Sequence, residues 1–145
     1  DGARAAVCGA ACPEERAAAL AGMKARLAAA AACSDVRCWA GKLEDPSPEV
    51  RDRAALEVGR AGGPGDAAAL AQAILRPVQA DAELDARYHA VLGLAWIAGR
   101  SPLGAAGLEI AGKLDGLIAA ERGRRLTESV NEDALRLAAR LRKER

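Results

Sequence analysis

Val50-Arg51-Asp52-Arg53-Ala54-Ala55-Leu56-Glu57-Val58-Gly59 decides how this chain is read, because its pattern returns as Ala86-Arg87-Tyr88-His89-Ala90-Val91-Leu92-Gly93-Leu94-Ala95. Both stretches run small apolar, Arg, two variable, Ala, three variable, large apolar, small. The offset from Arg51 to Arg87 is 36 positions. Repetition at such a period marks stacked supersecondary units. A third, weaker copy keeps the Arg-x-x-Ala spacing at Arg136 and Ala139.

The register places Val50, Ala54 and Val58 on one helix face, and Ala86, Ala90 and Leu94 on the equivalent face. Two short helices joined by a turn cannot bury both of their apolar stripes alone, so such hairpins stack on their neighbours. Local punctuation agrees. Pro13 opens a helix from Glu14 to about Ala32, and a second is expected from near Ser34 to about Glu44. Ser47-Pro48-Glu49 combines a hydroxyl N-cap, a first-turn proline and an acid, and predicts a third helix to about Ala61. Gly62-Gly63-Pro64-Gly65 stops it, and Asp66 is expected to cap a fourth helix reaching about Val78. Asp81 is expected to cap a fifth, from Ala82 to Ala98, with Gly99 closing it. A sixth follows from about Leu103 to Ala120. Ser129-Val130-Asn131-Glu132 has the form of a capping box opening a last helix to about Lys143. Strand-like alternation is missing from the sequence, so the expected fold class is all-α.

Leu43-Glu44-Asp45-Pro46-Ser47-Pro48-Glu49-Val50-Arg51 and its continuation resemble the second half of a HEAT repeat of the short bacterial, phycobilisome-lyase-like type. The second copy keeps the Arg, Ala and Leu positions and lacks the Asp-Pro turn. The resemblance covers residues 34–99 well and 103–143 poorly. It implies a right-handed α-solenoid of about three HEAT-like helical hairpins with an extra N-terminal helix. Residues 1–145 then form a single helical repeat domain: a cysteine-containing segment and helix over 1–33, two clearer repeats over 34–99, and a divergent repeat over 103–145. The resemblance also gives Asp45, Arg51 and Arg87 structural parts linking successive repeats.

The 145 residues carry 21 basic and 20 acidic side chains, a formal net charge of +1. Such balance gives no electrostatic footprint for nucleic acid and no polybasic anchor for a membrane. Alanine-rich runs such as Ala28–Cys33 are too short to span a bilayer. Aromatic residues make up 2%, so the core is expected to come from small side chains that let helices approach closely. The chain starts at Asp1 without a methionine, which is read as a removed targeting segment or excision from something longer. Cys8, Cys12, Cys33 and Cys38 read as two disulfides in an exported protein, and as metal ligands or free thiols in the cytosol. Export, to the periplasm, the cell surface or the medium, is the favoured expectation. An unbroken helix after Pro13 keeps Cys12 and Cys33 ~28 Å apart, at its two ends. Local pairs, Cys8–Cys12 and Cys33–Cys38, are therefore expected, and a four-cysteine zinc site is not.

His89 is the only histidine. No nucleophile, metal or nucleotide motif accompanies it, so it is read as a surface residue, with no catalytic residue, cofactor or metal expected. Arg122, Arg124 and Arg125 read as a solvated helix end, with a weak anion patch as the alternative. Tyr88, Leu92 and Trp96 recur at i, i+4 and i+8 on one stripe, matched one repeat earlier by Asp52, Leu56 and Arg60. In a solenoid the second helices of successive hairpins line the usual binding face. Leu56, Tyr88, Leu92 and Trp96 are the candidate partner-binding residues, with packing of Tyr88 and Trp96 under a terminal helix as the alternative. The expected function is a protein-binding scaffold. The alternatives are a chromophore-handling or lyase-like HEAT protein, a subunit of a larger exported assembly, and a nucleic-acid binder, which the charge balance disfavours.

Overall fold

The computed structural model describes residues 12–30 and 32–144. Cys8 of the expected Cys8–Cys12 pair lies outside the described residues. Among those residues the secondary structure is helical, without strands. The chain divides into two compact units, residues 1–32 and 33–145.

In the first unit α1 spans Pro13–Ala30, with Glu14 and Glu15 in its first turn. The Glu15 carboxylate accepts from the Cys12 N–H at 3.1 Å and so closes the helix start.

The second unit holds α2 (Val36–Lys42), α3 (Pro48–Ala61), α4 (Ala67–Leu75), α5 (Asp81–Arg100), α6 (Ala105–Ala120) and α7 (Glu128–Lys143). Cys33 and Cys38 are bridged, with their Cα atoms 5.4 Å apart. The bridge ties the segment before α2 to its first turn. There the Asp35 carboxylate caps the helix by accepting from the Cys38 N–H at 2.8 Å.

Helix α3 packs between α2 and α5, and α5 packs between α3 and α7. Helix α4 packs on α5 and on α6, and α6 packs on α7. The core positions expected of the repeat, Val50, Ala54, Val58, Ala86, Ala90 and Leu94, are all buried. Most are small, and this permits close approach. A Cβ built on Gly59 of α3 would lie 2.3 Å from the Cα of Gly93 on α5.

Several helix ends differ from the sequence expectation, each for a local reason. Ser47 precedes α3, but its hydroxyl donates to Glu49 Oε2 at 2.6 Å and does not cap an N–H. A 3-10 turn, Pro64–Asp66, leads into α4, and the Asp66 carboxylate accepts from the Gly63 N–H at 3.0 Å. Helix α4 stops at Leu75 because Pro77 forces Arg76 into an extended conformation, ψ 142°. Asp81 lies inside α5, whose start is closed by Glu83 accepting from the Ala80 N–H at 3.2 Å. Gly99 does not end α5; the helix continues to Arg100, before Ser101-Pro102. Helix α6 begins after Gly104, which takes φ +57°. The Ser129 capping box does not form, because a 3-10 turn over Arg125–Thr127 starts α7 at Glu128.

The third repeat copy needs the largest correction. Arg136 and Ala139 are exposed, and the buried set of α7 is Val130, Asn131, Ala134, Leu137, Ala138 and Leu141. Asn131 therefore occupies the position held by Arg51 on α3 and Arg87 on α5.

Candidate functional site

Arg51, Arg87 and Asn131 are buried polar side chains at one register position of α3, α5 and α7, and Arg87 and Asn131 share a hydrogen-bond network. Arg51 Nη1 donates to the carbonyl oxygens of Asp45 (2.7 Å) and Pro46 (3.1 Å), the turn that opens α3. The Asp45 carboxylate accepts from the Ser47 N–H in the same turn, at 2.9 Å. Burial, with Arg76 nearby, lowers the Arg51 pKa. Arg87 is only 1% exposed and reaches further. Its Nη2 donates to the Arg76 carbonyl at the end of α4 (2.8 Å), and its two Nη atoms grip Glu121 at 2.6 and 3.1 Å. It also meets Asn131 Oδ1 at 3.2 Å, and Asn131 Nδ2 donates to Glu121 at 3.0 Å. The hydrogen bond from Arg87 is the largest cause holding the Glu121 carboxyl down, from its usual 4.5 to about 2. A charge this buried is tolerated because it is paired on both sides.

The residues expected at the binding face lie on the exposed flank of the same layer. Tyr88 is 41% exposed, and Leu56, Leu92 and Trp96 are half-buried. Tyr88 and Leu92 line a groove of about 260 Å³ between α5 and α7, floored by Val91, Ala95 and Leu137 and rimmed by Asp133, Arg136 and Arg140. Leu56 and Trp96 extend this surface by register, one on α3 and the other along α5. Trp39, by contrast, is buried at the α2 end, with the Arg53 guanidinium 5.7 Å from its ring centre.

His89 is not an isolated surface residue. Its Nδ1 meets Asp52 of α3, and its ring stands edge-on to Tyr88, 5.1 Å between centres. Sequence separation hid this pair, although the 36-residue offset aligns His89 with Arg53, the neighbour of Asp52. Arg124 is also not a free cation at a helix end, since it donates to the Val78 carbonyl. Arg100 was missed too; it donates to the carbonyls of Gly59 (2.6 Å) and Gly62 (2.9 Å) and closes the end of α3. Among the described residues no cluster of three or more His, Cys, Asp or Glu side chains is placed to hold a metal. None of their helices is long and apolar enough to cross a membrane.

Comparison of the chain with family models, with curated proteins and with solved structures gives no match.

Proposed function

We propose that residues 33–145 are a right-handed solenoid of three HEAT-like hairpins, α2/α3, α4/α5 and α6/α7, serving as a binding scaffold for another protein. The architecture is supported by the packing order of α3, α5 and α7 and by Arg51, Arg87 and Asn131 recurring at one position. A single observation carries the function: a partly exposed apolar stripe of Leu56, Tyr88, Leu92 and Trp96 runs into a groove between second helices. Aromatic side chains on a rigid helical surface are frequent anchors of protein interfaces. The reading is of recognition, not catalysis, with no cofactor. The Cys33–Cys38 bridge supports an oxidising, extracytoplasmic setting.

Substitution of the stripe tests this reading. With the partner purified, Trp96→Ala is expected to weaken binding by ~2 kcal/mol, about 30-fold, without changing the melting temperature. A lower melting temperature with unchanged affinity would place Trp96 in the core and remove it from the interface.

A further inference from the structure

The register of the three second helices lays out charge as well as apolar surface. Taking Arg51, Arg87 and Asn131 as equivalent, the face divides into rows that run across α3, α5 and α7. The first row is Asp52, Tyr88 and Glu132, the second Leu56, Leu92 and Arg136, and the third Arg60, Trp96 and Arg140. The observed contacts keep this register. Asp52 meets His89 next to Tyr88, Arg136 and Arg140 line one groove with Leu92, and Gly99, one turn beyond Trp96, lies against Arg140. A Cβ on Gly99 would fall 2.9 Å from Arg140 Nη2, so the guanidinium rests on the end of α5. Rows one and three are eight residues apart on each helix, ~12 Å.

Charge is divided between the two edges. At the first row Asp52, Glu132 and Asp133 face Arg136 and His89. At the third row Arg60 and Arg140 have side chains 66% and 47% exposed and flank Trp96, with Arg100 one turn further on. Arg100 is held by the Gly59 and Gly62 carbonyls, while Arg60 and Arg140 are each paired at the surface. Glu57 is shared between Arg53 and Arg60, and Glu144 meets Arg140. Exposed pairs of this kind exchange partners at little cost.

We propose that the occupant of this face is an acidic, amphipathic segment of a partner protein. Its carboxylates meet the Arg60–Trp96–Arg140 row, and its apolar side chains fill the groove at Leu92 and Leu137 and cover Leu56 beside it. The inference rests on the reading of this face as a protein-binding surface and adds the polarity of what it binds. Arginine forks suit carboxylates and an indole between them supplies apolar area, the usual make-up of an interface anchor. A nucleic acid fits less well, because the opposite edge of the face would repel its phosphates.

Three synthetic fluorescent peptides test the polarity against the full chain. They share one helical leucine pattern and carry Glu, Gln or Lys at every other position. The expected result is at least tenfold tighter binding of the Glu peptide than of the other two, weakening with added salt. Arg60→Glu/Arg140→Glu should reverse the preference towards the Lys peptide, while Arg60→Lys/Arg140→Lys should keep it; helical melting curves confirm that both variants fold. Equal binding of the Gln and Glu peptides, abolished by Leu92→Glu, would overturn the polarity and leave the face reading standing. Absence of binding by all three would overturn both. An oligonucleotide binding as tightly as the Glu peptide would overturn the inference in favour of nucleic acid. Doubling of the mass without peptide, lost in the charge-reversed variant, would overturn it in favour of a second copy.

Discussion

Gly59 of α3 and Gly93 of α5 pack backbone against backbone, with room for neither to carry a side chain. A Cβ on Gly59 would meet the Gly93 Cα at 2.3 Å, and a Cβ on Gly93 would meet the Ala55 carbonyl oxygen at 2.8 Å. This contact sets how closely the two repeat copies stack, and therefore where Leu56 and Leu92 stand relative to one another on the exposed flank.

Gly59→Ala and Gly93→Ala should each destabilise the fold by ~1–3 kcal/mol, because the helices must move apart. Gly112→Ala is the control. Gly112 lies in α6 with nothing within 4 Å of its added Cβ, so the substitution should stabilise by ~0.5–1 kcal/mol through helix propensity. Urea unfolding of the three variants checks both signs.

The register of the first two copies was legible because it is written twice in similar residues. The Gly59–Gly93 contact was not, since the pattern showed only small residues and gave no partner across 34 positions. The bounds of helix α3 were legible, although its Ser47 cap does not form, because Ser47-Pro48 and Gly62-Gly63-Pro64 are strong signals on the chain itself. The third copy was misplaced for two physical reasons. Asn131 replaces the arginine, and the separation from Arg87 is 44 residues, not 36. The Ser129–Glu132 box matched a start signal, but Thr127, fully buried, already begins the helix. Of the candidate face, Tyr88, Leu92 and Trp96 were readable from helical spacing alone. The groove they border needed α7, whose register was hidden.

The Arg87–Glu121 pair predicts a specific acid sensitivity. Glu121 has its folded-state pKa depressed from 4.5 to about 2. Its contribution is complete above about pH 4.5, is lost progressively as the pH falls, and is gone below about pH 2. The amount is ~3 kcal/mol. Glu121→Gln should flatten the stability–pH profile in that window. It should also destabilise the protein by ~3–5 kcal/mol at pH 7 by leaving Arg87 buried without its counter-charge. Denaturant melts of both proteins between pH 2 and pH 7 give the comparison.

Two alanines carry the same close packing further along the core. Ala54 and Ala90 are both fully buried. Ala54→Leu and Ala90→Leu should cost ~1–3 kcal/mol each through overpacking. Thermal melts that leave either variant unchanged would mean the second helices are less tightly packed than described.

The Cys33–Cys38 bridge closes a loop with a sequence separation of 5. Closing so short a loop restricts the unfolded chain by ~2 kcal/mol at most. Cys33→Ser/Cys38→Ser should therefore lower stability by no more than that and leave the helix content intact. A loss of all cooperative unfolding would show that the bridge holds the fold together.

The proposed function puts a partner protein on the exposed flank of α5 in the second unit. A photo-reactive amino acid placed singly at Tyr88, Leu92 or Trp96, and for comparison at Gly112 or Lys113 of α6, reports that face directly in the cells where the protein is made. The account predicts that the three α5 positions give the same discrete adduct with one protein, and that the two α6 positions do not. Adducts from α6 with none from α5, or none from either, would contradict it.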